Sequence, residues 1–435
     1  MTQEELAERA GISARAVSDT ERGLRSAVHA DTARRVAAAL GLDGEAKEQF
    51  ESLARGRPAS EPPAPLASTL PEVPTPLLGR SGELRAVTAA LAGRAIRLLT
   101  LTGPGGIGKT RLAAEAARRV QTSFGGGVYF VSLGEVRDAK LIVPEVAKAI
   151  GVTETGDDLQ ALLAKRLAGR PALIVLDTFE HLTPAAPQVY AAMLGCPAIT
   201  FLVTSRSALR LRGEHQFPVP PLELPSGADE VSPQLLARWP ATALFWERAL
   251  AVRPDLQLDV PAAALVAEIC RKLDGLPLAI ELAAARIRHL PLAAVRDQLT
   301  DRLRLLVGGT LDLPRRQRTI RDTVAWSHDL LAPGQAELFR RLSVFSGGWD
   351  LPSAEAVCGN GDSGDVLAGI SALLDQSLIA LDHAHPQGRY DMLDVIREYA
   401  AGRLAESGEA DEVSLRHAHR YLSLAEEAEP NLARA

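Results

Sequence analysis

One stretch limits the possible folds of this chain more than any other: IRLLTLTGPGGIGKTRLAAEAARRV, residues 96–120. An apolar strand runs straight into the spacing G-x-x-x-x-G-K-T, carried by Gly103, Gly108, Lys109 and Thr110 with Gly105 and Gly106 between them, and a helical pattern follows at once. Glycines let backbone N–H groups turn inward around a β-phosphate, and the helix N-terminus adds its positive dipole end. Lys109 then reaches the β/γ oxygens, and the Thr110 hydroxyl is a Mg²⁺ ligand. Strand, loop and helix in this order imply ATP or ADP with Mg²⁺, held at the edge of a parallel sheet.

Such a site needs a second metal anchor at the end of a neighbouring strand. PALIVLDTFEHL supplies Asp177 after five apolar residues, whose continuity implies a strand covered on both faces. An Asp in that position, taken alone, also fits a turn or a helix N-cap. A further apolar strand, ITFLVTSR, ends at Arg206, which is expected to place a guanidinium near a γ-phosphate. Thr178 stands next to Asp177, and a threonine hydroxyl is a poor base. The nearest remaining carboxylate, Glu180, is the candidate for activating water, so the expected chemistry is slow ATP hydrolysis by Lys109, Asp177, Glu180 and Arg206.

The rest of the chain divides around this core. Residues 1–56 read as short helices, and seven prolines between 58 and 76 make 57–76 a semi-rigid linker. From 77 to 225, the runs IRLLTLT, GGVYFVSL, PALIVLD and ITFLVTS alternate with helical patterns, the signature of a doubly wound parallel α/β domain. Residues 226–312 show helical periodicity alone. Residues 313–402 mix helices with β-like pieces around DQSLIALD and GRYDMLD, the proportions of a winged helix, and 403–435 begin a further helical region. Lys and Arg number 48 against 54 Asp and Glu, so a nucleic-acid or anionic-membrane contact has to be local. A charged N-terminus and the lack of a long apolar run lead to the expectation of a cytoplasmic protein without membrane contact. Three scattered cysteines fit core positions better than disulfides or a metal site.

Six motifs occur in a specific order: LLGR at 77–80, GPGGIGKTRLA at 103–113, LIVLDTFEHL at 173–182, LVTSR at 202–206, GLPLAIELAAAR at 275–286 and YDMLDVIREYA at 390–400. Over about 77–425 the chain resembles the NB-ARC branch of the signal-transduction ATPases with numerous domains, close to bacterial transcriptional regulators of the AfsR type. The resemblance implies that Leu78, Gly79 and Arg80 lie against the adenine, that Arg111 joins the phosphate-loop contacts, and that Pro277 packs on the nucleotide. Its Met-His-Asp triplet matches Met392, Leu393 and Asp394, with leucine where the family's histidine touches the ADP β-phosphate. It further implies an ADP-held closed state, opening on exchange for ATP, and self-association in the ATP state.

QEELAERAGISARAVSDTERG, from Gln3, resembles a Cro/repressor-type helix-turn-helix, in which Ala7 is small at a helix crossing and Gly11 takes positive φ at the turn. That domain normally opens with a further helix before Gln3. The resemblance implies that Gln3 holds a phosphate and that the recognition helix from Ser13 presents Arg15, Ser18 and Asp19 to DNA bases. Residues 1–57 carry nine basic and ten acidic side chains, so no general basic face supports this. The competing expectation is a nucleotide-binding adaptor whose N-terminal module binds protein.

Overall fold

The computed structural model describes residues 2–13, 30–44, 69–72, 75–151, 169–226, 232–299, 319–359, 363–382 and 388–432, with residues 47, 50 and 306. The chain forms two compact units, 1–66 and 67–435.

In the first unit, α1 (Gln3–Ala10) starts with a capping box: Thr2 Oγ1 accepts from Glu5 N at 3.2 Å, and Glu5 Oε2 accepts from Thr2 N at 2.9 Å. Gly11 ends it with φ +64°. Helix α2 (Ala30–Ala39) packs on α1 through Ala7, Ala10, Ala33 and Ala37, all buried. Arg35 Nη2 donates to the Gly11 carbonyl at 3.1 Å and ties the turn down. Arg15, Ser18 and Asp19 lie outside the described residues, as does most of the Pro-rich 57–76.

The second unit is built on five parallel strands, β1 (Leu98–Thr102), β2 (Val128–Ser132), β3 (Ala172–Asp177), β4 (Ile199–Thr204) and β5 (Glu214–Pro218), in the order β2-β3-β4-β1-β5. Alternate side chains serve opposite faces, because the strand period is two. On β3, Leu173 and Val175 enter one apolar core while Ala172, Ile174 and Leu176 enter a second. On β4, Leu202 and Phe201 divide in the same way. The central strands β3, β4 and β1 are thus buried almost along their whole length because helices cover both faces. α3 (Ser81–Ala92) and α4 (Lys109–Arg119) pack with the first core, and α5 (Ile142–Ile150) and α6 (Ala186–Gly195) with the second. Strand β5 escapes the apolar-run reading: it is an edge strand, EHQFP, half-buried or exposed along its length.

The first core continues into α7 (Pro240–Val252), α8 (Val260–Lys272), α9 (Pro277–Ala285) and α10 (Leu292–Gln298). It runs on through α11 (Ile320–His328) to a winged-helix fold of α12 (Pro333–Leu342), α13 (Leu351–Cys358), α14 (Ser363–Asp375), the antiparallel pair β6 (Ala380–Asp382) and β7 (Arg389–Asp391), and α15 (Asp394–Ser407). Last comes α16 (Ala410–Leu432). The chain is therefore an α/β phosphate-loop domain joined to helical and winged-helix parts, with a small all-α helix-turn-helix at its N-terminal end. No helix among the described residues is long and apolar enough to cross a membrane. All three cysteines are buried and free.

Candidate functional site

The loop between β1 and α4 has Gly103, Gly106 and Gly108 at φ +142°, +79° and +96°, conformations that glycine adopts without the cost a Cβ imposes. They curl the backbone around the start of α4 beside a cavity of about 240 Å³. Gly105, Gly106, Gly108, Lys109, Thr110 and Arg111 all line it. Lys109 Nζ donates to the carbonyls of Gly103 at 2.6 Å and Pro104 at 3.0 Å. Burial pushes its ammonium down to about 8, the Glu180 carboxylate opposing the shift and Arg206 adding to it. A phosphate placed here supplies the counter-charge that burial denies the lysine.

Asp177 ends β3 beside the loop, as its position after the apolar run implies. Its Oδ1 accepts from Thr110 Oγ1 at 2.6 Å and from Thr204 Oγ1 at 2.7 Å, and its Oδ2 from Thr178 Oγ1 at 3.1 Å. Thr178 N donates in turn to Thr204 Oγ1 at 2.9 Å. Thr178 sits at φ +64°, a strained conformation for a β-branched residue, and these two bonds hold it there. Three hydroxyls thus fix one carboxylate at the loop. The pair Thr110 and Asp177 fits Mg²⁺, a hard cation that takes one or two protein oxygens and completes its shell with phosphate and water.

Glu180 and Arg206, drawn from the ends of adjacent strands, meet as a buried ion pair, Arg206 Nε to Glu180 Oε1 at 3.2 Å, with 6% and 4% of their side chains exposed. Arg206 Nη1 also donates to the Thr323 carbonyl of α11 at 3.1 Å. Both residues line the cavity, but each is engaged by the other, so activation of water by Glu180 requires the pair to part.

The remaining candidates divide. Pro277 lines the cavity as the first residue of α9, and Leu278 N donates to the Gly106 carbonyl at 3.2 Å, so the GLPL turn rests on the phosphate loop itself. Arg111 lines it too, with Nη2 bonded to Thr75 Oγ1 at 2.8 Å and Nη1 3.5 Å from Glu281 of α9. Gly103 shapes the loop and receives Lys109. Leu78, Gly79 and Arg80 are not among the cavity-lining residues. Arg80 is buried and supports the loop from behind, donating to the Ile107 carbonyl at 3.2 Å and to Glu83 at 2.7 Å. Asp394 also lies off the cavity, at the start of α15, where it accepts from Arg397 at 2.7 Å. Met392 is buried in the first core and Leu393 packs against it. In the first unit Gln3 and Ser13 are exposed.

Gly79 has φ +65°, and a methyl group added there would lie 2.1 Å from Pro240 Cβ. A rigid proline ring cannot yield as a flexible side chain does. Gly79→Ala is therefore expected to destabilise the second unit by about 2–4 kcal/mol, combining left-handed strain with overpacking. Urea unfolding measures this, and a loss under about 1 kcal/mol would show that the contact relaxes freely.

Thr204, Leu278, Glu281 and Thr323 also line the cavity, and the motif spacing alone assigns them no role. Thr204 had a signal: it ends the apolar run of β4 just as Asp177 ends that of β3, and Leu176 pairs with Val203 one residue earlier. Thr323 had none, since it lies in a helix far along the chain from the loop.

Residues 1–46 match the family described as a helix-turn-helix, 94–203 an AAA domain and 331–405 a winged helix-turn-helix domain. A Mycobacterium tuberculosis protein named as an HTH-type transcriptional regulator is 39% identical over 333 residues, covering 76% of this chain and 36% of its own length. A second M. tuberculosis protein, uncharacterized by name, is 36% identical over 348 residues, covering 79% of this chain and 85% of its own. The regulatory protein AfsR of Streptomyces griseus is 31% identical over 405 residues, covering 86% of this chain and 38% of its own. This chain thus spans little more than a third of the first and third of these relatives. With the six ordered motifs, the parallel sheet and the phosphate loop, these likenesses show that the chain belongs to the AfsR-like family of signal-transduction ATPases with numerous domains, carrying a Cro/repressor-type helix-turn-helix at its N-terminal end.

Proposed function

We propose that this chain is a DNA-binding transcriptional regulator switched by ADP and ATP. The observation that carries the reading is the roof of the phosphate loop. A side chain on Gly105 would strike Thr323 of α11 at 2.3 Å, and one on Gly106 would strike Leu278 of α9 at 2.9 Å. Elements from the helical and winged-helix parts therefore touch the two glycines that would face the phosphates, so nucleotide occupancy and the placement of those parts depend on each other. Leu78 and Gly79 would secure the adenine side, with Arg80 supporting the loop through the Ile107 carbonyl, and Lys109, Thr110 and Asp177 would hold the phosphates with Mg²⁺. Bound Mg²⁺ would neutralise the phosphate charge. In the ATP state the opened surfaces would self-associate, and the helix-turn-helix would bind DNA through Gln3, Ser13, Arg15, Ser18 and Asp19.

The experiment is to denature the purified chain and identify the nucleotide released, with a parallel titration of the chain with MgADP and MgATP. Stoichiometric ADP, or binding of both nucleotides, is expected; a chain that releases none and binds neither overturns the reading. Binding to DNA fragments at several salt concentrations tests the second half, since phosphate contacts give an affinity that falls steeply with salt. Failure to bind any DNA, with nucleotide binding intact, would favour the protein-binding adaptor.

With Thr178 beside Asp177 and Glu180 held by Arg206, hydrolysis lacks a poised base. Turnover below about one per second is expected, the low edge of ordinary enzymes. Steady-state phosphate release faster than that would show a water-activating base placed elsewhere.

A further inference from the structure

A segment rich in proline offers carbonyls but few N–H groups, so it is matched best by a side chain that only donates, and arginine carries the most donors of that kind. Helix α4, which starts at the phosphate loop, supplies two. Arg111 and Arg118 lie seven residues apart on one face, two turns or about 10 Å along the helix. Arg111 Nη2 donates to the carbonyls of Thr75 and Pro76, each at 3.0 Å, and to Thr75 Oγ1 at 2.8 Å. Arg118 Nη2 donates to the Pro71 carbonyl at 3.1 Å. Before them, Thr69 covers the edge strand β2. Its N donates to the Val128 carbonyl at 3.4 Å, and its Oγ1 accepts from Phe130 N at 2.7 Å. Leu70 and Leu77 pack half-buried against the first core. Residues 69–72 and 75–77 are thus strapped to the sheet edge at one end and to the phosphate-loop helix at the other.

The strap leads into the site. Arg111 follows Thr110 and lines the nucleotide cavity. Its Nε is buried and has no acceptor among the described residues, so the three strap oxygens and Glu281, 3.5 Å from Nη1, fix where the guanidinium lies. Soon after Pro76 comes Arg80, which supports the loop through the Ile107 carbonyl at 3.2 Å. The strap itself is lightly held, with Thr69, Glu72 and Pro76 exposed. Such a segment opens locally at less cost than the core. A site whose wall is in place for only a fraction of the time binds its ligand more weakly by that fraction.

We infer that the strap formed by residues 69–72 and 75–77 controls nucleotide affinity: seated on Arg118 and Arg111 it places the cavity wall for binding, and released it weakens the site. The inference rests on the nucleotide reading above and adds to it a control element on the N-terminal side of the cavity. The strap includes the end of the Pro-rich segment that joins the helix-turn-helix to the second unit. Coupling is reciprocal, so a nucleotide in the cavity makes the strap harder to release. Thr69 and Arg118 are positioning residues, since neither is among those that line the cavity.

The test is hydrogen exchange and MgADP titration of the full chain, for the wild type, Arg118→Ala and Thr69→Val. Arg118→Ala removes the donor to Pro71 and leaves Glu115 its contact with Arg119 at 3.2 Å. Thr69→Val keeps the shape of the side chain and removes the acceptor of Phe130 N. In the wild type, MgADP should slow exchange over residues 69–72 by about five-fold or more, the low end of ordinary coupling between sites. Each variant should exchange faster there and bind MgADP about five-fold or more weakly, with the thermal unfolding of the second unit unchanged. Exchange over 69–72 that ignores MgADP, or variants that exchange faster yet bind as tightly as the wild type, overturn the strap and leave the nucleotide site in place. Variants whose melting falls together with their affinity make the contacts merely structural and also overturn it. A wild type that binds no MgADP overturns the nucleotide site, and the control of it by the strap falls with it.

Discussion

Lys109→Ala should cost about a hundred-fold or more in MgADP affinity while leaving the chain folded. The half-buried ammonium lines the cavity and bonds backbone carbonyls of its own loop, those of Gly103 and Pro104. Without a phosphate its nearest counter-charges are Glu180 and Asp177, and burial still outweighs them, so the free protein gains little stability from the charge. A bound diphosphate changes that balance, because two charge-assisted contacts at about 1.5–3 kcal/mol each appear at once. Losing them amounts to about two decades of affinity or more. Removal of the side chain opens the two carbonyls to a cavity wide enough for water, so the loop is not left with stranded acceptors. Isothermal titration with MgADP and a thermal melt check both halves. Unchanged affinity would remove Lys109 from the phosphate site, and a collapsed melt would make it a structural residue of the loop.

The features legible from the sequence are those whose physics is local. A buried parallel strand must be apolar on both faces, so β1 to β4 announce themselves as continuous runs, and a carboxylate ending such a run has to emerge at the sheet's edge. The phosphate loop reads directly because each glycine, the lysine and the threonine serve neighbours a few residues away. Strand β5 does not read, because this edge strand is half-buried or exposed along its length and has no need of apolar residues. Thr204 looks like any threonine after a strand until its hydroxyl is found between Asp177 and the Thr178 amide. Positions taken from family likeness lie in different surroundings. Pro277 reaches the cavity, while Arg80 and Asp394 are spent on Ile107, Glu83 and Arg397, contacts that no motif spacing discloses. Thr323 is the extreme case, since Arg206, which donates to its carbonyl, lies 117 residues earlier in the chain.

The pair formed by Glu180 and Arg206 carries the second large effect. Each is almost fully buried, and removing one partner leaves the other as an uncompensated charge, which typically costs about 3–5 kcal/mol. Arg206→Met should lose that much in urea unfolding of the second unit, and it also strips the Thr323 carbonyl of a donor. Glu180→Leu should lose a similar amount, since the guanidinium then stays buried without its carboxylate. The double variant replaces two buried ions with apolar groups of comparable volume, an exchange that is often close to neutral, so it should lose less than either single change, about 2 kcal/mol or below. Additive losses would mean that the two side chains are solvated independently and that their 3.2 Å contact contributes nothing. Non-additive losses would mean that the residues read from sequence as a water-activating base and a γ-phosphate contact are bound first to each other. Any hydrolysis by this chain would then have to begin by separating them, and the cost of that separation, set by burial and by the grip of α11, would set how slowly it turns over.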